Sequence, residues 1–233
     1  METPAPSQRE AVQLWLEWVD TAPEPGGIAI LDDEERARAA RFRFERDGRR
    51  FVARRSFLRR VLAGYTGAAP ASLRYRRSNF GKPELMDADG LAFSTSHAAG
   101  LAIVAVTTHG DVGVDIERLR RIPDGLNIAR RFFTGAELEH LRSIPTSMRP
   151  DAFLRLWTRK EAYVKAVGRG LSMPLRDFDV LERADGGVVH SGDAGGQPAI
   201  RLWPVEVPAG YVATAATSVA TLVEQPAPMA MVS

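Results

Sequence analysis

The sequence predicts an α+β protein made of two similar halves, and three features point that way. Its 233 residues are long for one simple core, which favours one large domain or two tightly joined lobes. Strand-like alternation and helical periodicity both occur along the chain. One order of motifs also recurs. Near residues 30–65 it runs "ILDDEE", "ARF", then a "FLRR" helix ending "LAGYTG"; near 114–170 it runs "VDIE", "ARRF", then a "FLRL" helix ending "KAVGRG". The parallel is faint. It sets a boundary near residue 110, giving halves 1–110 and 111–223 and a loose tail over 224–233. A site would fall between such halves.

Each element has a local reason. "AVQLWLEWV" (11–19) alternates as a strand and runs into the Pro/Gly loop "APEPGG". Asp32 or Asp33 caps a helix whose first turn is acidic. In "RRFVARRSFLRRVLAGY", Phe51, Leu58, Val61, Leu62 and Tyr65 recur at helical spacing, with Gly64 and Gly67 closing the helix. Phe42, Phe44, Phe51 and Phe57 are expected in the core. "FGKPEL" is a turn. Residues 100–119 predict two strands joined at "THGD" as a hairpin. A helical stretch through "NIARRFFTGAELEHLR" breaks at a new cap, Thr134, and a long helix follows over 150–167. "FDVLER" and "GYVATAATS" complete the strands.

Composition narrows the function classes. The chain is 45% hydrophobic and 26% charged, as in ordinary soluble proteins. Its formal charge is only +2, but eleven of the 28 Arg fall within residues 36–60 against two acids, Glu45 and Asp47. Such a basic face implies a polyanionic partner: nucleic acid, a phosphorylated cofactor or an acidic protein. The absence of cysteine excludes disulfides, Cys-ligated zinc and thiol catalysis. "METPAPSQRE" shows no secretory signal, and the longest apolar run, "GLAIVAV", is far short of a membrane span. A soluble, cytoplasmic protein is expected.

Three motifs carry chemistry. In "GVDIERL", Asp115 and Glu117 share one face of a strand while Val114 and Ile116 face the core. Two carboxylates so placed suit a hard divalent cation, and they also suit an exposed strand face. On helix 150–167, Phe153, Trp157, Val164 and Val167 form an apolar stripe. Glu161 and Lys165 sit at its edge as an i, i+4 pair, which alone reads as a surface salt bridge. Lys160 falls within the stripe, where an ammonium must snorkel or meet an anion. Lys is rare here, since only Lys82, Lys160 and Lys165 occur, and a compact ammonium suits phosphate oxygens. In "FSTSHAAG", Ser96 and His97 could bind a phosphate, or His97 could be a general base. No Walker or G-x-G-x-x-G loop is present, so any phosphate must be held by side chains and metal.

With their order and spacing, "FGKPEL", "FSTSH", "GVDIE", "RRFF" and "LWTRKEAYVKAVGRGL" make the chain resemble the large, single-chain, Sfp-type 4'-phosphopantetheinyl transferases, from about residue 30 to 215. The resemblance implies a pseudo-twofold α+β fold and a monomer. It also implies the reaction, which transfers phosphopantetheine from coenzyme A to a serine of an acyl or peptidyl carrier protein and releases 3',5'-ADP. By it, Asp115, Glu117 and Glu161 match Mg²⁺ ligands. Glu161 is the candidate base, and Lys165 neutralises pyrophosphate or shares in proton transfer. Coenzyme A would be bound by Arg41, Arg50, Arg54, Lys82, Ser96, His97, Asp115, Lys160 and Lys165, with His97 at the 3'-phosphate. Large relatives usually serve peptide or polyketide synthases. Ser94 stands where relatives often carry Asn. The competing readings are an Arg-rich nucleic-acid binder and a Mg²⁺-dependent phosphohydrolase. With Phe42, Phe44, Phe51 and Phe57 expected in the core, no exposed aromatics are expected to interleave the Arg run, which weighs against the first.

Overall fold

The computed structural model describes residues 11–20, 26–181, 188–189, 199–218 and 223–228. In the first half, strand β1 (Val12–Trp18) leads to a short helix α1 (Asp33–Ala40) and a long helix α2 (Glu45–Thr66). The small hairpin β2 (Tyr75–Arg77) and β3 (Pro83–Leu85) follows, then β4 (Ala92–Ala98) and β5 (Leu101–Thr107). The second half opens with β6 (Val112–Arg118), followed by α3 (Gly125–Phe132), α4 (Gly135–Ser143) and the long α5 (Arg149–Val167). It closes with β7 (Val188–Val189), β8 (Ile200–Val205) and β9 (Tyr211–Thr217), after which β10 (Val223–Pro228) returns to the first sheet.

The two halves repeat one plan. Antiparallel order β1-β5-β4 in one sheet matches β6-β9-β8 in the other, each with its last strand in the middle. Each long helix follows a short one that begins with a full capping box, Asp32 with Glu35 on α1 and Thr134 with Glu137 on α4. Each long helix ends at a left-handed glycine, Gly67 (φ 69°) or Gly168 (φ 74°). That equivalence shifts the repeat by two residues from the motif parallel, which pairs Gly67 with Gly170. Gly64 lies inside α2 and does not close it.

Three apolar clusters hold the layers. Val12, Leu14, Leu101 and Ile103 meet Val112, Val114, Ile116 and Ala213 between the two sheets. Phe57, Leu58, Val61 and Leu62 of α2 pack on Phe93, Val104 and Val106. Phe153, Leu154, Tyr163 and Ala166 of α5 pack with Ile200, Leu202 and Ala216. The order is helix, sheet, sheet, helix.

Several expectations are corrected. β5 and β6 are not a hairpin, because β5 pairs with β1 and β4 while β6 pairs with β9 in the second sheet. β5 is buried at all seven positions, and a strand without a solvent face needs cover on both sides. Their linker therefore crosses between the halves. Ser96 and His97, expected just before the hairpin strand, lie within a strand of their own, β4. Residues 178–181 form no strand, and the rest of "FDVLER" lies outside the described residues. The tail expected over 224–233 is partly ordered backbone, since β10 runs parallel to β1. Its Pro226 and Pro228 can supply no ladder N–H, which suits an outermost strand. Residues 229–233 lie outside the description. Phe42 and Phe44 are 36% and 59% exposed, whereas Phe51 and Phe57 are buried. No described helix is long and apolar enough to cross a membrane.

The Arg run is less basic than its sequence window suggests, because acids from elsewhere answer it. Arg50 pairs with Asp20, Arg60 with Glu17, Arg36 with Asp33, and Arg55 and Arg59 with Glu35. Of the eleven, Arg38, Arg41, Arg43 and Arg54 lack a carboxylate partner among the described residues.

Candidate active site

The site forms where the edge strand of one sheet, β4, lies against the edge strand of the other, β6. Ser94 and Ser96, two residues apart on β4, both reach across. The Val114 N–H donates to Ser94 Oγ at 3.1 Å, and Ser96 Oγ donates to Asp115 Oδ1 at 2.7 Å. The Ser94 hydroxyl thus satisfies a buried β6 amide, a task not evident in the sequence. Ser94→Ala is expected to leave that amide unpaired and cost roughly 1–3 kcal/mol, read as a lower denaturation midpoint. An unchanged midpoint would remove this bond from the seam.

On β6 the predicted alternation holds. Val114 and Ile116 are buried between the sheets, while Asp115 and Glu117 face α5. Gly113 shares the carboxylate face. A Cβ there would come closer than 3.0 Å to the Ala162 carbonyl oxygen and the Ala166 amide nitrogen, so α5 lies directly on the β6 backbone. The close approach brings Glu161 and Lys165 beside the carboxylates. Lys165 Nζ donates to Asp115 Oδ1 at 2.8 Å and to the Val114 carbonyl at 3.0 Å. Its partner is therefore Asp115, not the Glu161 of a simple surface pair. Glu117 is paired with Arg120 at 2.8 Å. Burial, then the charge of Asp115, raises the Glu161 pKa; Lys165 opposes this and Glu117 adds to it.

Three carboxylates around one ammonium leave excess negative charge, and all supply hard oxygen donors. By that chemistry Asp115, Glu117 and Glu161 fit a divalent cation. As placed, Asp115 is held by Ser96 and Lys165 and Glu117 by Arg120, and no described group of three acidic or His side chains closes into a ligand cluster.

A cationic group that includes Lys165 acts on His97. His97 is solvent-exposed at its edge, yet loss of water around the ring, then the charges of Arg54, Lys165 and Arg50, lowers its pKa to about 4. Arg54 is held below its ordinary value by burial, then by Arg50 and Arg38. Among the described residues it makes no hydrogen bond or ion pair. Arg50 is engaged by Asp20 through two bonds. Arg41 is exposed at the C-terminal cap of α1, and no contact ties it to this group. Lys82 donates to the Val112 carbonyl at 3.1 Å and the Ala166 carbonyl at 3.4 Å, tying the β2–β3 turn to the seam. Burial lowers its pKa.

Lys160 is not part of the site, which corrects the expectation that it binds coenzyme A. It is fully buried on the other side of α5, with Nζ 2.9 Å from Glu137 Oε2 and 2.7 Å from each of the Leu175 and Phe178 carbonyls. The anion that the apolar stripe demanded is a protein carboxylate. Glu137 was legible as a capping residue from "TGAE", but nothing in the sequence joins it to Lys160.

A cavity of about 690 Å³ opens beside Glu161 and Lys165, lined by Lys82, Phe93, Trp157, Val164 and Met173 among others. That volume suits a small-molecule site. Carboxylates, cations and an apolar recess thus meet at one seam.

The sequence profile of the 4'-phosphopantetheinyl transferase superfamily matches residues 111–216, and that of the 4'-phosphopantetheinyl transferase N-terminal region matches residues 20–109. The chain is 43% identical over 147 residues to the 4'-phosphopantetheinyl transferase HetI of Nostoc sp., covering 62% of each chain. It is 32% identical over 161 residues to a 4'-phosphopantetheinyl transferase of Bacillus subtilis, covering 69% of this chain and 70% of that one. The Sfp enzyme of Bacillus subtilis strain 168 is 30% identical over the same length and shares of coverage.

Proposed function

The chain belongs to the 4'-phosphopantetheinyl transferase family, and on that premise we propose that it transfers the phosphopantetheine arm of coenzyme A to a serine of an acyl or peptidyl carrier protein. The observation that carries this reading is Lys165, which bonds to Asp115, acts on both Glu161 and His97, and lines an apolar recess.

The reaction joins the serine oxygen to the pantetheine-side phosphorus of the pyrophosphate and breaks its bond to 3',5'-ADP. Glu161 takes the serine proton, directly or through a water. Its raised pKa brings it nearer the ambient pH, where a general base works best. Lys165 offsets charge on the leaving phosphate. Arg50, Arg54 and His97 hold the nucleotide phosphates, and Arg41 lies on the same N-terminal side. The recess receives the pantetheine arm. Lys82 and Ser96 shape the site, Lys82 by pinning the seam and Ser96 by orienting Asp115. Asp115, Glu117 and Glu161 would hold Mg²⁺, which when bound neutralises pyrophosphate charge. Halves 1–110 and 111–223, a cytoplasmic monomer and service to peptide or polyketide synthases complete the proposal.

The test is to incubate the protein with Mg²⁺, coenzyme A and several apo carrier proteins and to look for a mass gain of one phosphopantetheine arm. No gain on any carrier would overturn the reading. Phosphate release without a carrier would favour a phosphohydrolase, and tight DNA binding would favour a nucleic-acid binder.

His97 gives a pH test. With its pKa lowered to about 4, it is neutral at pH 7 in the free protein. A phosphate against it favours the charged form and raises that value, so binding takes up a proton. Coenzyme A affinity should therefore fall as pH rises through the pKa of the complex. Calorimetry in buffers of different ionisation heat should show proton uptake that disappears in His97→Ala. Equal uptake in both proteins would remove His97 from the phosphate. The same shift works oppositely on folding: the neutral ring's contribution is complete above about pH 6.5 and is lost as pH falls toward 4.

A further inference from the structure

Both long helices carry a buried cation fixed in the same way. On α2, Arg59 is fully buried and donates to Glu35 Oε2 at 2.7 Å, Asp32 Oδ2 at 2.6 Å, and the carbonyls of Pro70 and Leu73 at 2.9 and 3.0 Å. On α5, Lys160 meets Glu137 and the carbonyls of Leu175 and Phe178. Each acid is the last member of its short helix's capping box, and each carbonyl pair belongs to the first residue of a 3-10 turn beyond the long helix and the residue just after that turn. Glu137 is also fully buried, accepting from the Thr134 and Val180 amides at 2.8 Å each. Two separate segments are thereby locked to one point on each long helix.

Beyond that point the halves diverge. Arg59 is followed by Arg60, which pairs with Glu17; Lys160 is followed by Glu161. Ala162 and Ala166 face Gly113, while Lys160 lies on the far side of the helix. A grip there sets the rotation of α5 about its own axis. About 100° around the helix from Lys160, Glu161 is turned to the seam.

We propose that the buried Lys160–Glu137 pair is a positioning device that holds α5 in the one rotation placing Glu161 and Lys165 against Asp115. The proposal rests on the transferase reading for its effect on turnover, and on the α5 geometry alone for its effect on structure. The Arg59–Glu35 pair performs the same mechanical task in a half that carries no carboxylate cluster, and it serves as the internal control.

The experiment compares Lys160→Met, the double variant Lys160→Met/Glu137→Gln, and the control double variant Arg59→Met/Glu35→Gln. Lys160→Met strands a buried carboxylate and should lower the melting temperature, and neutralising Glu137 should recover much of that loss. In the recovered double variant, kcat should remain at least tenfold below wild type, with KM for coenzyme A within about threefold. The nucleotide-side groups Arg50, Arg54 and His97 lie in the other half, which is why KM is spared. The control double variant should keep wild-type kcat. Hydrogen exchange of the amides over 159–166 gives a readout independent of turnover, and protection there should fall in Lys160→Met/Glu137→Gln. If kcat and protection both return to wild type with the melting temperature, the pair is merely structural and the proposal fails. If wild-type protein loads no carrier, the transferase reading fails, and unchanged or reduced exchange protection still decides the positioning.

Discussion

Gly113→Val should leave little folded C-terminal half. The added side chain would be driven into the backbone of α5 at Ala162 and Ala166, and a helix backbone cannot rotate aside as a side chain can. Overpacking of this kind costs about 1–3 kcal/mol even against movable side chains. Against two main-chain groups the upper end or more is expected, a large part of a domain's stability. Gly113→Ala should be milder but still clearly destabilising. The measurements are thermal midpoint and soluble yield, with activity per folded molecule as the second readout. Any folded Gly113→Ala fraction must hold α5 farther from β6, which separates Lys165 from Asp115. A variant with wild-type midpoint and turnover would show that the close approach is dispensable.

That contact also explains what the sequence could reveal about the site. Strand alternation in "GVDIE" correctly separates Val114 and Ile116 from Asp115 and Glu117, because one strand fixes both faces. Helical spacing correctly puts Glu161 and Lys165 on one edge of α5. How these two edges meet depends on Gly113 and on the seam hydroxyls Ser94 and Ser96, which lie outside the period of either element. Gly113 offered a signal, since glycine in a strand interior marks close backbone approach. The partner of Lys160 is hidden for a related reason. Helical phase shows that it lies on an apolar stripe, but its partner, Glu137, lies 23 positions earlier in the chain. The sequence could require an anion there without indicating whether it came from substrate or protein.

The same limit governs the basic window and the hairpin. Eleven Arg in 25 residues read as a polyanion-binding face only while their acidic partners, Asp20, Glu17 and Glu35, are out of view. Once those pairs are formed, the cations that act on His97 are Arg54, Lys165 and Arg50, and one of the three comes from the other half. β5 and β6 were legible as strands, but their separation into two sheets was not. Local turn chemistry at "THGD" is compatible with both a hairpin and a crossover. The register of the internal repeat likewise becomes clear only from the paired glycines at 67 and 168.

Glu161→Gln should abolish phosphopantetheine transfer, by at least about a thousandfold, while leaving the fold intact. Among the described residues Glu161 makes no hydrogen bond or ion pair. Its environment disfavours its charge, through burial first and then Asp115. Replacing the carboxylate by an amide of the same shape removes that repulsion and opens no cavity, so the melting temperature should hold or rise. Activity should respond oppositely. An amide cannot take the serine proton, and it is a weaker ligand for a hard cation. Loss of general-base action alone accounts for about 10²–10⁴-fold. The decisive measurement pairs the melting temperature with the rate of carrier mass gain at saturating coenzyme A and Mg²⁺. A stable variant with near-normal turnover would place the base elsewhere. A variant both inactive and strongly destabilised would show that the charge of Glu161 supports the fold, against the electrostatics of the seam.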